Sequence, residues 1–301
     1  MLPLILSFLI INASPDAGTA GFTFLKFTPS AKEAAMANTS IGLESNGGFG
    51  FWCNPSSIVT GSAVSLGYLG LPAGIQYGAV GYAKSKPISF VQSGGIGVTF
   101  LNSGPMKRTD EAGNELGTFS VTYACLKASG NIIQDKNINA GVGIKVLYGS
   151  IDSFMGFGLA GDLGIRYKPT IQGVTLGVAV KNFGYQVKAF DQEKDKLPLD
   201  VGIGAGYNAS NDITLAFDVH KPIDNRVLFN LGVEGWANKY VALRAGYNSL
   251  GEDYKTGGSS DIMSGFSVGL GVKYLNYQVD YSFTPMGDWG RLHHITLFLS
   301  L

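Results

Sequence analysis

From residue 61 to Leu301 the chain alternates apolar with small or polar residues at a period of two, and nothing interrupts the pattern for long. A period of two belongs to extended backbone, where successive side chains point to opposite faces. Fourteen segments fit it: 61–69, 74–84, 94–101, 117–127, 139–148, 157–167, 173–182, 199–207, 212–219, 227–236, 239–247, 263–274, 276–283 and 291–299. Most come close to the ~9–11 residues that a tilted strand needs to cross a bilayer. Residue types do not repeat at a fixed longer period, which excludes propellers and solenoids.

One parity of these segments is apolar enough to face lipid. It reads Val142, Ile144, Val146, Tyr148; then Leu163, Ile165, Tyr167; then Val174, Leu176, Val178, Val180; and later Phe266, Val268, Leu270, Val272, Tyr274 and Tyr277, Val279, Tyr281, Phe283. The other parity carries Asp162, Asp218, Glu234 and Asp280 with Arg166, Arg244, Lys145, Lys181 and Lys273. A charge on the lipid face near the midplane costs about 2–4 kcal/mol, so this sorting has a physical cause. The pattern predicts an all-β fold: an up-and-down antiparallel transmembrane barrel of about fourteen strands with a polar interior. Asp162, Arg166, Asp218, Glu234, Arg244 and Asp280 are expected to form a structural charge network there, with Arg244 and Arg166 as the candidate partners of Asp218.

The connections support the same architecture. After strands 3, 7 and 11 they are long and polar, whereas NAS, ANK and LN, after strands 8, 10 and 12, are tight. Long loops on one rim and short turns on the other make the outer-membrane arrangement. The stretch KASGNIIQDKN after strand 4 reads as a long loop on the short-turn side. The 43 glycines and the 15% share of charged residues fit a crowded barrel better than a soluble domain.

Motifs that would signal chemistry have simpler readings here. GFGLAG at 156–161 spells a dinucleotide fingerprint, but an alternating strand follows it where the phosphate-binding helix should be. His293 and His294 are adjacent, so on a strand they face opposite ways and cannot hold one ion. Cys53 and Cys125 are too few for a disulfide framework, and parity leaves Cys125 as a lipid-facing or a packed thiol. Twenty-two basic and 22 acidic residues cancel, which argues against nucleic acid as a partner. No enzymatic role, cofactor or metal is expected.

Residues 1–60 differ in kind. MLPLILSFLIINA resembles a secretory signal without a basic start, and it is too short to span a membrane as a helix, so residues 1–16 are expected to be removed. In SAKEAAMANTSIG, Ser30 precedes Glu33 at capping-box spacing and predicts a short helix, followed by a turn at NGGFG (46–50). Residues 17–60 are expected to form an N-terminal plug of the barrel at 61–301, with Asn54 and Pro55 as its motif.

The N-terminal blocks GTAGFTFLKF (18–27), AAMANTSIG (34–42) and NPSSI (54–58) are followed by GDLGIRYKP (161–169), LAFDVHKPID (215–224), GVEGW (232–236), ALRAGYN (242–248) and VDYSFTPMGDWGRLHHITLFL (279–299). In this order they resemble the PorV/PorQ family of outer-membrane proteins over nearly the whole chain. Ala37 stands where that family usually has glycine, Ser56 where it has alanine, Cys53 where a bulky residue precedes Asn-Pro, and Leu301 where an aromatic ends the chain. The resemblance implies a fourteen-stranded barrel akin to the FadL fatty-acid transporters, in contact with outer-membrane lipid. It further implies an accessory role in protein export of the type IX kind, with secretion components or secreted cargo as partners. The alternative is FadL-like passage of hydrophobic small molecules, with the segment around Asn54 and Pro55 as a hatch. A third reading is a structural barrel without transport.

Overall fold

Strands with one apolar face leave hydrogen-bonding edges that lipid cannot satisfy, so a sheet in a membrane must close on itself. A computed structural model describes residues 17–44, 48–57 and 61–301, and in it the sheet does close. The strands are β1 (Ser62–Gly70), β2 (Gln76–Ile88), β3 (Val91–Asn102), β4 (Met106–Thr109), β5 (Glu115–Phe119), β6 (Val121–Gln134), β7 (Ile138–Ile151), β8 (Phe154–Tyr167), β9 (Val174–Lys188), β10 (Asp200–Asn208), β11 (Ile213–Pro222), β12 (Leu228–Trp236), β13 (Val241–Asn248), β14 (Phe266–Tyr274), β15 (Tyr277–Pro285) and β16 (Arg291–Ser300). Fourteen of them pair antiparallel with their neighbours, and β1 meets β16 from Ala63↔Ser300 to Gly70↔His293 to complete the barrel. The remaining two, β4 and β5, form a separate hairpin above the rim.

The lipid-facing parity is borne out. Ile144 is 66% exposed, and Leu163, Ile165, Val178, Phe266 and Leu270 are exposed like it, while Asp162, Arg166, Asp218, Glu234, Arg244 and Asp280 are buried on the inside. Tyr167, Tyr207, Tyr240, Tyr274 and Tyr277 stand exposed at the short-turn rim, the position of an aromatic girdle. GFGLAG lies within β8, with no helix after it. Its last glycine lies so close beneath the Phe183 ring that a β-carbon there would come within 2.5 Å of it.

Three details differ from the expectations. KASGNIIQDKN is not a long loop: β6 runs to Gln134 and β7 resumes at Ile138, so every connection on that rim is short. The alternation fades there because Lys127, Ser129 and Asn131 face inward and the register shifts between Asn131 and Ile133. The barrel strand read as 117–127 begins at Val121, its first residues belonging to β5. The helix over 30–42 is only α1 (Ala31–Ala35), and Ser30 makes no side-chain cap, so the capping box does not form. Ala37 and Asn38 then adopt left-handed backbone, φ 56° and 64°, which turns the chain away. The signal reading at 1–16 lies outside the described residues, as do 45–47 of the turn region and 58–60.

The wall is uneven in height. Strands β2, β3 and β6 to β9 have 12 to 15 residues, whereas β1 and β10 to β16 have 8 to 10. Nine residues at ~3.3 Å each, tilted ~40°, rise roughly 23 Å, about the apolar band of an outer-membrane barrel. The taller strands therefore project beyond that band. Where tall meets short, β9 pairs with β10 only over Val174–Lys181, and a bulge places Lys181 and Asn182 opposite Asp162. Asn182 takes the left-handed conformation, φ 60°, as such a bulge requires.

Candidate functional site

The interior of the barrel is filled by the N-terminal residues rather than by water-facing side chains alone. Phe22 and Phe24 are buried and pack on Tyr123 of β6, with ring centroids 5.7 and 5.3 Å away, and Phe190 joins them. Lys26 then pairs with Asp224, and α1 crosses to β13–β16. A second short helix, α2 (Gly50–Cys53), precedes Asn54 and Pro55.

Residues 40 and 41 are held at both ends of their peptide groups. Asp218 accepts hydrogen bonds from the backbone N–H of Ser40 (2.7 Å) and Ile41 (3.0 Å). Arg166 donates to the carbonyl oxygens of Ile41 (3.1 Å) and Ser40 (3.2 Å) and to Ser57 Oγ (3.2 Å). Asn54 adds a bond from its amide to the Ile41 carbonyl at 3.0 Å. Between these grips, Ile41 lies on a strip of wall without side chains: a β-carbon on Gly177 would be 2.2 Å from the Ile41 oxygen. Charge-assisted bonds of this kind replace part of the hydration that a buried charged group gives up. The expected pairing of Asp218 with Arg166 or Arg244 is therefore corrected. Arg166 and Asp218 meet the same dipeptide instead of each other, and the nearest ionisable group to Asp218 is His220, 3.8 Å away.

The other predicted interior charges form compact groups. Arg244 bonds to Glu234 at 2.6 Å and to Asp280 at 2.7 Å, and Lys32 of α1 reaches Glu234 at 3.1 Å. Asp162 takes Lys127, Lys145 at 2.8 Å and the backbone N–H of Asn182 at 2.8 Å, which pins the β9 bulge. Lys181 and His220 share Asp200, at 3.0 and 3.1 Å. Lys273 faces the interior but stays exposed near the short-turn rim. Pro55 rests on Gly141 and Asn54 on Gly164, so this motif packs on β7 and β8. Cys125 is fully buried and inward, which leaves the packed-thiol reading and removes the lipid-facing one. Lys127 is a further interior charge at the end of the segment read as 117–127, on the same parity as Tyr123 and Cys125.

Two cavities flank α1. On the short-turn side, one of about 330 Å³ is lined by polar and charged groups including Lys32, Glu44, Lys273 and Asp280. On the long-loop side, one of about 260 Å³ lies between residues 23–38 and the short wall, with Phe27, Leu69, Leu250, Met286 and Leu292 in its lining. Residues of α1 line both cavities, Lys32 and Glu33 the first and Ala34 the second.

No family model matches the sequence, and no curated protein matches it. Solved structures do. The toluene transporter TodX of P. putida aligns with a TM-score of 0.63 at 11% identity over 90% of this chain and 98% of its own. The monoaromatic hydrocarbon channel CymD gives 0.63 at 11% identity over 90% and 97%. A FadL homologue from Pseudomonas aeruginosa gives 0.58 at 10% over 91% and 98%. At these identities the likeness speaks for the fold, and it agrees with the closed sheet, the apolar band and the short-turn rim: this chain folds as an outer-membrane β-barrel of the FadL type.

Proposed function

We propose that the protein passes small hydrophobic molecules across the outer membrane, with residues 17–57 as the plug that must yield. The observation that carries this is the largely apolar cavity between the N-terminal residues and the short wall, which opens on the long-loop side. An interior that served only to stiffen the barrel would have no need of an apolar space beside its plug. The barrel's likeness to a toluene transporter and a hydrocarbon channel supports the same reading. Asp218 and Arg166 are the latch: they hold residues 40–41 through four hydrogen bonds that the plug must exchange before anything passes. The interior charges otherwise act structurally, and the chemistry is binding and passage, without a catalytic step.

Proteoliposomes loaded with a solvatochromic reporter test this. Aromatic hydrocarbon influx should exceed that of empty liposomes and rise further in the Asp218→Ala variant, while uptake of a sugar stays at background. Equal hydrocarbon influx with and without protein would sink the proposal. The export-accessory reading rests on the N-terminal blocks and their order. It would be favoured instead if a pull-down from native membranes returned secretion components while hydrocarbon influx stayed at background.

A further inference from the structure

The apolar cavity carries one mark of a more particular ligand. Its lining includes several polar side chains, and five of them have partners within the protein, Lys26 through its pair with Asp224. Ser267 and Thr284 bond each other at 2.9 Å. Asn248 accepts from the Leu250 N–H at 2.8 Å and reaches the Ala37 carbonyl at 3.5 Å. Thr28 accepts from the Ser30 N–H at 3.4 Å. His294 differs: it is 2% exposed, and its ring donates to the Pro29 carbonyl while its buried Nε2 has no partner. Among the described residues of this lining, Nε2 is the only buried side-chain polar atom left without one.

A ring nitrogen that donates to a carbonyl carries the proton, so the other nitrogen of a neutral imidazole is an acceptor. A buried acceptor without a donor costs free energy, and a ligand that brings a donor recovers it. The space is of the right scale, since a ~150 Å³ apolar cavity admits benzene and this one measures about 260 Å³. Resting on the transport reading above, we infer that His294 makes this cavity selective for small apolar molecules bearing one hydroxyl, such as phenols and short aromatic alcohols, over plain hydrocarbons. Discrimination of this kind is strong because the site's own buried polar group is otherwise unpaired.

Phenol and toluene, nearly identical in shape, separate the donor from the ring. Each is titrated against the full chain in nanodiscs, with empty nanodiscs subtracted. The ratio of phenol to toluene affinity should fall about five- to tenfold in His294→Leu, the scale of one net hydrogen bond. His294→Gln, whose amide oxygen can accept, should restore part of the ratio. Leu292→Trp, which fills the cavity while keeping His294, should abolish binding of both. Heat-modifiable migration checks that each variant folds. An unchanged ratio in His294→Leu overturns the inference, as a water already on Nε2 would produce, and so does binding of both ligands by Leu292→Trp. If toluene crosses proteoliposomes while the ratio is unaffected, the selectivity fails and the transport reading stands. If neither compound binds or crosses in the wild type, both fall together.

Discussion

Along β6 to β8 the wall gathers its long charged side chains on one carboxylate; from β9 to β14 it carries charges too, but it also lays bare backbone against the plug. On the tall side Lys127 and Lys145 converge on Asp162, all three buried. From β9 onward the plug lies directly on glycine: Ile41 on Gly177, Met36 on Gly232, and Met36 with Ala37 on Gly246. Both sides obey the same inside–outside parity, yet they fill the interior differently. Where the wall keeps side chains, ion pairs occupy the space; where it gives them up, the backbone of another segment takes their place. The tall strands do the same in places: Asn54 and Pro55 sit on Gly164 and Gly141, and Phe51 and Trp52 on Gly95 and Gly97 of β3.

The difference predicts opposite sensitivities. Removing charge should hurt the tall side most. Asp162→Ala leaves two buried ammonium groups without their counter-charge, so the urea midpoint should fall by an amount worth about 3–5 kcal/mol. A loss under ~1 kcal/mol would mean that water replaces the carboxylate. Adding volume should hurt most where the plug lies on glycine. Gly177→Ala sets a methyl against the Ile41 carbonyl, with an expected cost of about 1–3 kcal/mol and faster proteolysis of residues 17–57. The matched change Gly143→Ala, on the tall side, meets the Ser129 hydroxyl and the Lys127 stem instead of backbone. Those can swing aside, so its effect should stay within ~0.5 kcal/mol. Equal losses for the two glycines would break the comparison.

A smaller effect runs the other way. Ala37 sits at φ 56°, where a β-carbon costs roughly 1–2 kcal/mol. Ala37→Gly should raise the urea midpoint by up to about 1 kcal/mol. The smallest effect lies outside the membrane, in the β4–β5 hairpin. Hydrogen bonds from the Asn114 side chain and backbone hold the Asp110 carboxyl below its usual range. That support is present above the carboxyl's unfolded value and is lost as pH falls through the lowered one. Asp110→Ala should speed amide exchange at residues 112–114 at neutral pH, without moving the global midpoint. At a pH below the lowered value, mutant and wild type should exchange alike.

Much of the barrel was legible because its alternation has a strong physical cause, the cost of polar groups in lipid. The fourteen barrel strands and the inward orientation of Asp162, Arg166, Asp218, Glu234, Arg244 and Asp280 follow from parity. Legibility failed where parity blurs. Lys127, Ser129 and Asn131 made the end of β6 look like loop, and the shift between Asn131 and Ile133 exposes both Ile132 and Ile133. The partners of each charge were harder still. Parity says which face a side chain takes, but not how far around the barrel its neighbour lies. Arg166 and Asp218 were paired with each other because both point inward; β9 and β10 and the chain at Ile41 stand between them.

By itself, then, the sequence determined that this chain forms a closed, lipid-facing sheet with its charges inside, since a period of two and the exclusion of charge from lipid leave little else. Only the tertiary structure decided what those charges do. Residues up to 265 positions apart in the chain, Ala31 and Thr296, bond within the interior, and such contacts depend on closure, shear and the path of the plug. The same holds for the unpaired nitrogen of His294. Its strand parity pointed it inward, but only the fold put an apolar cavity beside it and left it without a donor.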